Sequence, residues 1–143
     1  MPRIALVTAA EAQSLDEDLP PLIAAFAGDA VAVCWDDAAV DWSTFDLVLL
    51  RSAWDYVPRL AEFLAWCDRV AAVTRLLNPP ALVRLNTDKH YLADLAARGL
   101  ATVPSFFLEP GRHVAADLHD IVSGLPSEEF VVKPAVGAGS KDA

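Results

Sequence analysis

Phe45-Asp46-Leu47-Val48-Leu49-Leu50-Arg51-Ser52-Ala53-Trp54-Asp55-Tyr56 decides the fold. From Phe45 to Arg51 the run is nearly continuous in apolar residues. Such a short run reads as a strand buried on both faces, as in parallel sheets with helices on either side. It ends in a cation, two aromatics and an acid.

Working outward, Ile4 to Thr8 is a second buried strand with β-branched residues. Leu19, Leu22, Ile23 and Phe26 then repeat at helical spacing, with Asp18 as N-cap and Gly28 as stop. Ala30 to Trp35 is another strand, followed by an acidic loop. Downstream, Pro58 suits a first helical turn. Leu60, Phe63, Leu64, Cys67, Val70 and Ala71 form an apolar stripe. Arg75 to Leu77 is a brief strand closed by Asn78-Pro79-Pro80. The order β-α-β-β-α-β predicts an open α/β layer structure.

In open parallel sheets, ligands sit at the carboxyl ends of the strands. Arg51, Trp54 and Asp55 lie at such an end and are candidate substrate-binding residues. An arginine there suits bidentate contact with a carboxylate or phosphate. In an acidic chain it is equally suited to pairing with Asp55 or another acid, with Trp54 and Tyr56 covering the sheet edge.

The second half opens with a short helical piece, Ala81 to Leu85. A helix capped by Asn86 or Thr87 and ended by Gly99 follows. Lys89 falls in its first turn, beside free N–H groups, where a cation is unfavourable unless an anion is bound. Ser105 to Leu108 reads as a strand, Glu109-Pro110-Gly111 as a turn and Val114 to Val122 as a helix.

Phe130 to Lys133 reads as a short buried strand stopped by Pro134, which has no N–H for a ladder. Gly137, Gly139 and Ser140 follow in a loop of small residues. A cation on a strand end beside such a loop suits a triphosphate, because glycines let several N–H groups face one anion. It is not a P-loop, since no Gly-Lys-Ser/Thr follows. An ordinary hairpin with a solvated lysine has the same local pattern.

Composition narrows the function. The 143 residues carry 11 Lys and Arg against 20 Asp and Glu, a net charge of −9. That argues against nucleic acid and anionic membrane, both of which need a basic footprint. Apolar residues make up 55% and mean hydropathy is +0.33, as in a chain that buries a core. No apolar run is long enough to span a bilayer. Cys34 and Cys67 form no CxxC pair, and Cys67 fits an apolar helix face. A buried free thiol rather than a disulfide follows, and with it a reducing, cytoplasmic location. His90, His113 and His119 have no metal-site spacing.

Arg51-Ser52-Ala53-Trp54-Asp55-Tyr56, Leu77-Asn78-Pro79-Pro80, Asn86-Thr87-Asp88-Lys89 and Val131-Val132-Lys133-Pro134 with its glycine-bearing loop come in the order and rough spacing of the ATP-grasp superfamily. Within it the chain resembles the glutathione synthetase-like branch and O-ureido-D-serine cyclo-ligase. The resemblance implies a Rossmann-like pre-ATP-grasp domain over residues 1–85. Residues 86–143 would begin the central α+β lobe and stop in its glycine-bearing loop. It implies ATP binding by Lys89, Lys133, Gly137, Gly139 and Ser140, and an acceptor pocket shaped by Arg51, Trp54 and Asp55.

The implied activity is ATP-dependent ligation of a small carboxylate to an amine or similar nucleophile through an acylphosphate. Its cofactors would be ATP and Mg2+, with the metal ligands and catalytic arginine expected beyond Ala143. No catalytic residue is therefore placed within the chain, and the chain by itself is expected to be inactive. Homo-oligomerisation stays open. The alternative is a non-catalytic nucleotide- or small-ligand-binding α/β module, or an interaction domain whose lysines are ordinary surface charges.

Overall fold

The structure is a computed structural model that describes residues 2–111, 113–125 and 129–138. The chain forms two compact units, residues 1–86 and 87–143.

In the first unit, β1 (Ile4–Thr8), β2 (Ala30–Cys34), β3 (Leu47–Ser52) and β4 (Arg75–Leu77) form one sheet in the order β2-β1-β3-β4. All three pairings are parallel, with Ile4 opposite both Ala30 and Leu47. β1 is central, and all five of its residues are buried. Its side chains alternate between two cores, as a period of two requires. Ala5 and Val7 pack in a cluster with Trp35, Phe63, Trp66 and Val70. Ile4 and Leu6 pack with Leu19 and Ala30, supported by Leu22, Ile23 and Phe26. Helix α2 (Leu60–Ala71) therefore covers one face and α1 (Leu19–Ala25) the other. This is the expected open parallel sheet with helices on both faces.

Boundaries moved where side chains intervene. β3 starts at Leu47 rather than Phe45. The Asp41 carboxylate accepts the Ser43 N–H and hydroxyl, so a 3-10 turn at Trp42–Thr44 runs into Phe45. Asp18 occupies the N-cap of α1 but makes no capping bond, because its carboxylate goes to Arg51. Pro20 and Pro21 start that helix without needing the donors they lack. A 3-10 segment, Trp54–Arg59, joins β3 to α2.

α3 (Pro80–Thr87) is longer than the sequence suggested, and the second unit contains α4 (Tyr91–Ala97) and α5 (Val114–Ser123). Asn86 and Thr87 end α3 instead of capping the next helix. The break has a local cause. The Asp88 carboxylate accepts the His90 N–H, and the Lys89 N–H donates to the Ala135 carbonyl, so neither amide enters a helical ladder. Gly99, with φ +80°, closes α4 as expected. Its N–H reaches the Ala96 carbonyl while that of Leu100 reaches Leu95, a Schellman pair.

Two expected strands do not form. Among the described residues, neither Ser105–Leu108 nor Phe130–Lys133 is in a strand. Phe130, Val131 and Val132 are 50%, 71% and 56% exposed, so the expected buried strand is corrected to an exposed segment outside any strand. A strand is held by its ladder, and no described strand of this unit lies alongside to supply one. Among the described residues no helix is long and apolar enough to cross a membrane.

Candidate functional site

The sheet order places a topological switch point between β1 and β3, where connections leave in opposite directions. Thr8 and Ser52 sit there fully buried, the Ser52 hydroxyl donating to Thr8 Oγ1 at 2.9 Å. The β1–β3 register shifts between Val7 and Thr8, and the Ala9 N–H donates to the Ser52 carbonyl. Arg51 Nη2 donates to Asp16 at 2.8 Å and to Asp18 at 3.2 Å. Asp16 is 4% exposed, held in the loop after β1 by its N–H bond to the Ala12 carbonyl. Arg51 Nε and Asp16 Oδ2 are buried and unpartnered among the described residues. They are complementary groups of one ion pair, which is thus a one-point contact rather than a full fork.

Asp55 accepts from the Trp35 indole N–H at 2.7 Å and lies 3.9 Å from Arg59 Nη1. Arg59 in turn bonds Asp36 and Glu62 and lies over the Trp35 ring at 4.4 Å. These acids push the Arg59 guanidinium above its ordinary range, the Glu62 bond contributing most. Trp54 is 39% exposed on the 3-10 segment. Arg51 thus pairs with Asp16 and Asp18, not with Asp55, and the two candidate residues share no partner.

A cavity of about 580 Å³ opens between the 35–43 loop and α2, walled by Trp35, Trp42 and Trp66. Its acids already have uses: Asp36 and Glu62 bind Arg59, while Asp41 and Asp37 cap turns. Both cysteines are free. Burial pushes the Cys67 thiol up to about 12, and burial with nearby Asp36 raises Cys34.

In the second unit, Lys89 precedes α4 rather than lying in its first turn. Its ammonium donates to the carbonyls of Pro134 at 2.8 Å, Ala135 at 3.3 Å and Gly137 at 3.5 Å. All three of its donors are thereby engaged. The side chain closes over the turn that follows Lys133. A Cβ at Gly137 would lie 3.4 Å from Lys89 Nζ. Lys133 is exposed and has no described partner. Gly139 and Ser140 lie outside the described residues.

His90, read in the sequence only as lacking metal-site spacing, stands beside Lys89 between two acids. Nδ1 is 2.5 Å from Asp88, Nε2 is 3.1 Å from Glu109, and the ring stacks on Phe107. The Asp88-x-His90 spacing was a readable signal; Glu109 was not.

A profile of the family described as D-cycloserine synthetase DcsG, N-terminal domain, matches residues 4–78, about half of the chain. The chain belongs to this family. The matched DcsG segment holds the whole four-stranded sheet with α1 and α2. The chain is 48% identical to the cycloserine biosynthesis protein DcsG of Streptomyces lavendulae, over 97% of this chain and 48% of the relative. The crystal structure of D-cycloserine synthetase DcsG superposes with a TM-score of 0.87 at 46% identity, again over 97% of this chain and 48% of that one. The chain spans about half the length of the DcsG proteins it matches, and the alignment with them extends well past the profile-matched segment.

Proposed function

We propose that this chain is the N-terminal portion of an ATP-dependent ligase that joins a carboxylate to an amine or similar nucleophile. The relatives' named role extends the proposal to ring closure that forms D-cycloserine. One observation carries the nucleotide part. The Lys89 ammonium is brought onto the 134–137 turn directly after Lys133, so two lysines far apart in sequence serve one loop of small residues.

In the proposed reaction a substrate carboxylate oxygen attacks the γ-phosphorus of ATP, and ADP leaves with the bridging oxygen. The nucleophile then adds to the acyl carbon, gives up its proton to solvent and expels phosphate. Little acid–base work is asked of side chains; charge neutralisation and positioning dominate. Lys133, exposed and without a partner among the described residues, offers its ammonium for the phosphates. Lys89 offers a second if a polyanion displaces the loop carbonyls, a favourable exchange of neutral acceptors for charged ones. Mg2+ wants acidic oxygen ligands. Among the described residues no three metal-capable side chains converge, so no step is assigned to this chain through the ion.

The test joins the chain to the second half of the Streptomyces lavendulae relative and titrates ATP calorimetrically. Lys133→Ala and Lys89→Ala should each weaken binding about tenfold or more, the worth of a charged hydrogen bond. Unchanged affinity in both variants would leave the lysines structural and favour a module that binds no nucleotide there.

A further inference from the structure

Asp88, Lys89 and His90 join α3 to α4, and this short junction holds two distant segments. Lys89 holds the 134–137 turn. His90 holds residues 107–109, through Glu109 on Nε2 and through the Phe107 ring, whose centroid lies 4.2 Å from the imidazole. Asp88 completes the arrangement, accepting from both the His90 backbone N–H and Nδ1.

The hydrogen-bond inventory makes this a charge-dependent contact. An ionised carboxylate only accepts, and a neutral imidazole has one N–H. With carboxylates at both ring nitrogens, a neutral ring satisfies one and turns a lone pair on the other. Only the imidazolium donates to both.

We infer that His90 is a proton-operated latch. As an imidazolium it ties the Phe107–Glu109 segment to the junction that carries Lys89, and on losing its proton it lets that segment go. Glu109 is the arm that moves. Nδ1–H stays with Asp88, which is closer and also fixed by the backbone N–H, so Nε2 becomes the bare nitrogen facing Glu109. Asp88 and Glu109 are the charged groups acting on the ring, and Lys89 beside it is engaged with the loop carbonyls.

The titration behaviour agrees with this geometry. The bond to Asp88, then that to Glu109, raises His90 above its ordinary 6.5. The bonds from His90 hold Asp88 below its ordinary 3.8. A raised histidine contributes its stabilisation fully below 6.5 and loses it as pH rises through the raised value. A lowered aspartate contributes above 3.8 and loses it as pH falls through the lowered value. The latch is closed between those two limits and opens on the alkaline side of the His90 titration.

NMR on the 143-residue chain tests this without nucleotide, so its failure is distinct from failure of the ligase reading. The His90 ring, assigned with His90→Gln, should titrate above 6.5. Its cross-peaks to Phe107 should be present below that midpoint and vanish above it. In Glu109→Gln the midpoint should fall. The cross-peaks should now persist at high pH, because the amide can donate to a neutral Nε2. Glu109 is exposed, so this variant keeps the fold. A midpoint at or below 6.5 would overturn the latch. So would cross-peaks indifferent to pH, or the same pH dependence in Glu109→Gln.

Discussion

Replacing Asp55 with alanine separates a structural role from a substrate contact at the carboxyl end of β3. Trp35 is 1% exposed, and its indole N–H has its hydrogen bond with Asp55. Removing the acceptor strands a buried donor, which costs about 1–3 kcal/mol. The Asp55–Arg59 contact is long, at 3.9 Å between groups about one-third exposed, and Arg59 keeps Asp36 and Glu62. That loss adds about 0–0.5 kcal/mol. The total, about 1–3 kcal/mol, should lower the urea midpoint by roughly 1 M for an m-value of about 1–3 kcal/mol/M. All four tryptophans, Trp35, Trp42, Trp54 and Trp66, lie in the first unit, so their fluorescence follows its unfolding. Asp55→Asn keeps an oxygen acceptor and should cost less than half as much. In Trp35→Phe the donor is absent, so adding Asp55→Ala to it should cost about 1–2 kcal/mol less than in wild type. If Asp55→Ala unfolds within about 0.5 kcal/mol of wild type, the ordinary range for a surface change, the structural account of Asp55 is wrong.

Asp16→Ala leaves Arg51, among the described residues, with exposed Asp18 alone, and should cost about 1–3 kcal/mol in the same assay, less than a fully buried pair because water reaches Arg51. Cys67, pushed up to about 12, should stay unmodified by a thiol reagent at pH 8 until the unit unfolds, while half-buried Cys34 reacts first; simultaneous loss of both thiols would contradict the burial. Gly137→Ala places a methyl 3.4 Å from Lys89 Nζ and 3.6 Å from Pro134, ordinary contacts, so amide spectra of α4 should be unchanged. Val103, Phe106 and Val131 are 80%, 60% and 71% exposed, so the 143-residue chain should self-associate as concentration rises. Val131→Glu should reduce the effect in light scattering.

Much of the first unit was legible because its signals are local. The β1 and β4 strands sit where the apolar runs placed them, and α2 carries the stripe from Leu60 to Ala71. The nearly continuous run before Arg51 indicated burial on both faces, and in β3 Val48 and Leu50 reach one core while Leu47 and Leu49 reach the other. Phe130–Lys133 shows the limit. Two valines between a phenylalanine and a lysine describe a strand only when another strand lies alongside, and that condition is not written in the segment itself.

The amino-acid order alone settled the layer architecture, since hydrophobic periodicity depends on each residue's near neighbours. It also drew attention to Arg51, Asp55 and Lys89 as polar groups at informative positions. What each of them grips was decided only by the folded chain. Arg51 meets Asp16 across 35 positions, Trp35 meets Asp55 across 20, and Lys89 meets Pro134 across 45. A charge in an acidic chain has many eligible partners, and the backbone path selects among them by bringing one within about 3 Å and keeping water from the rest.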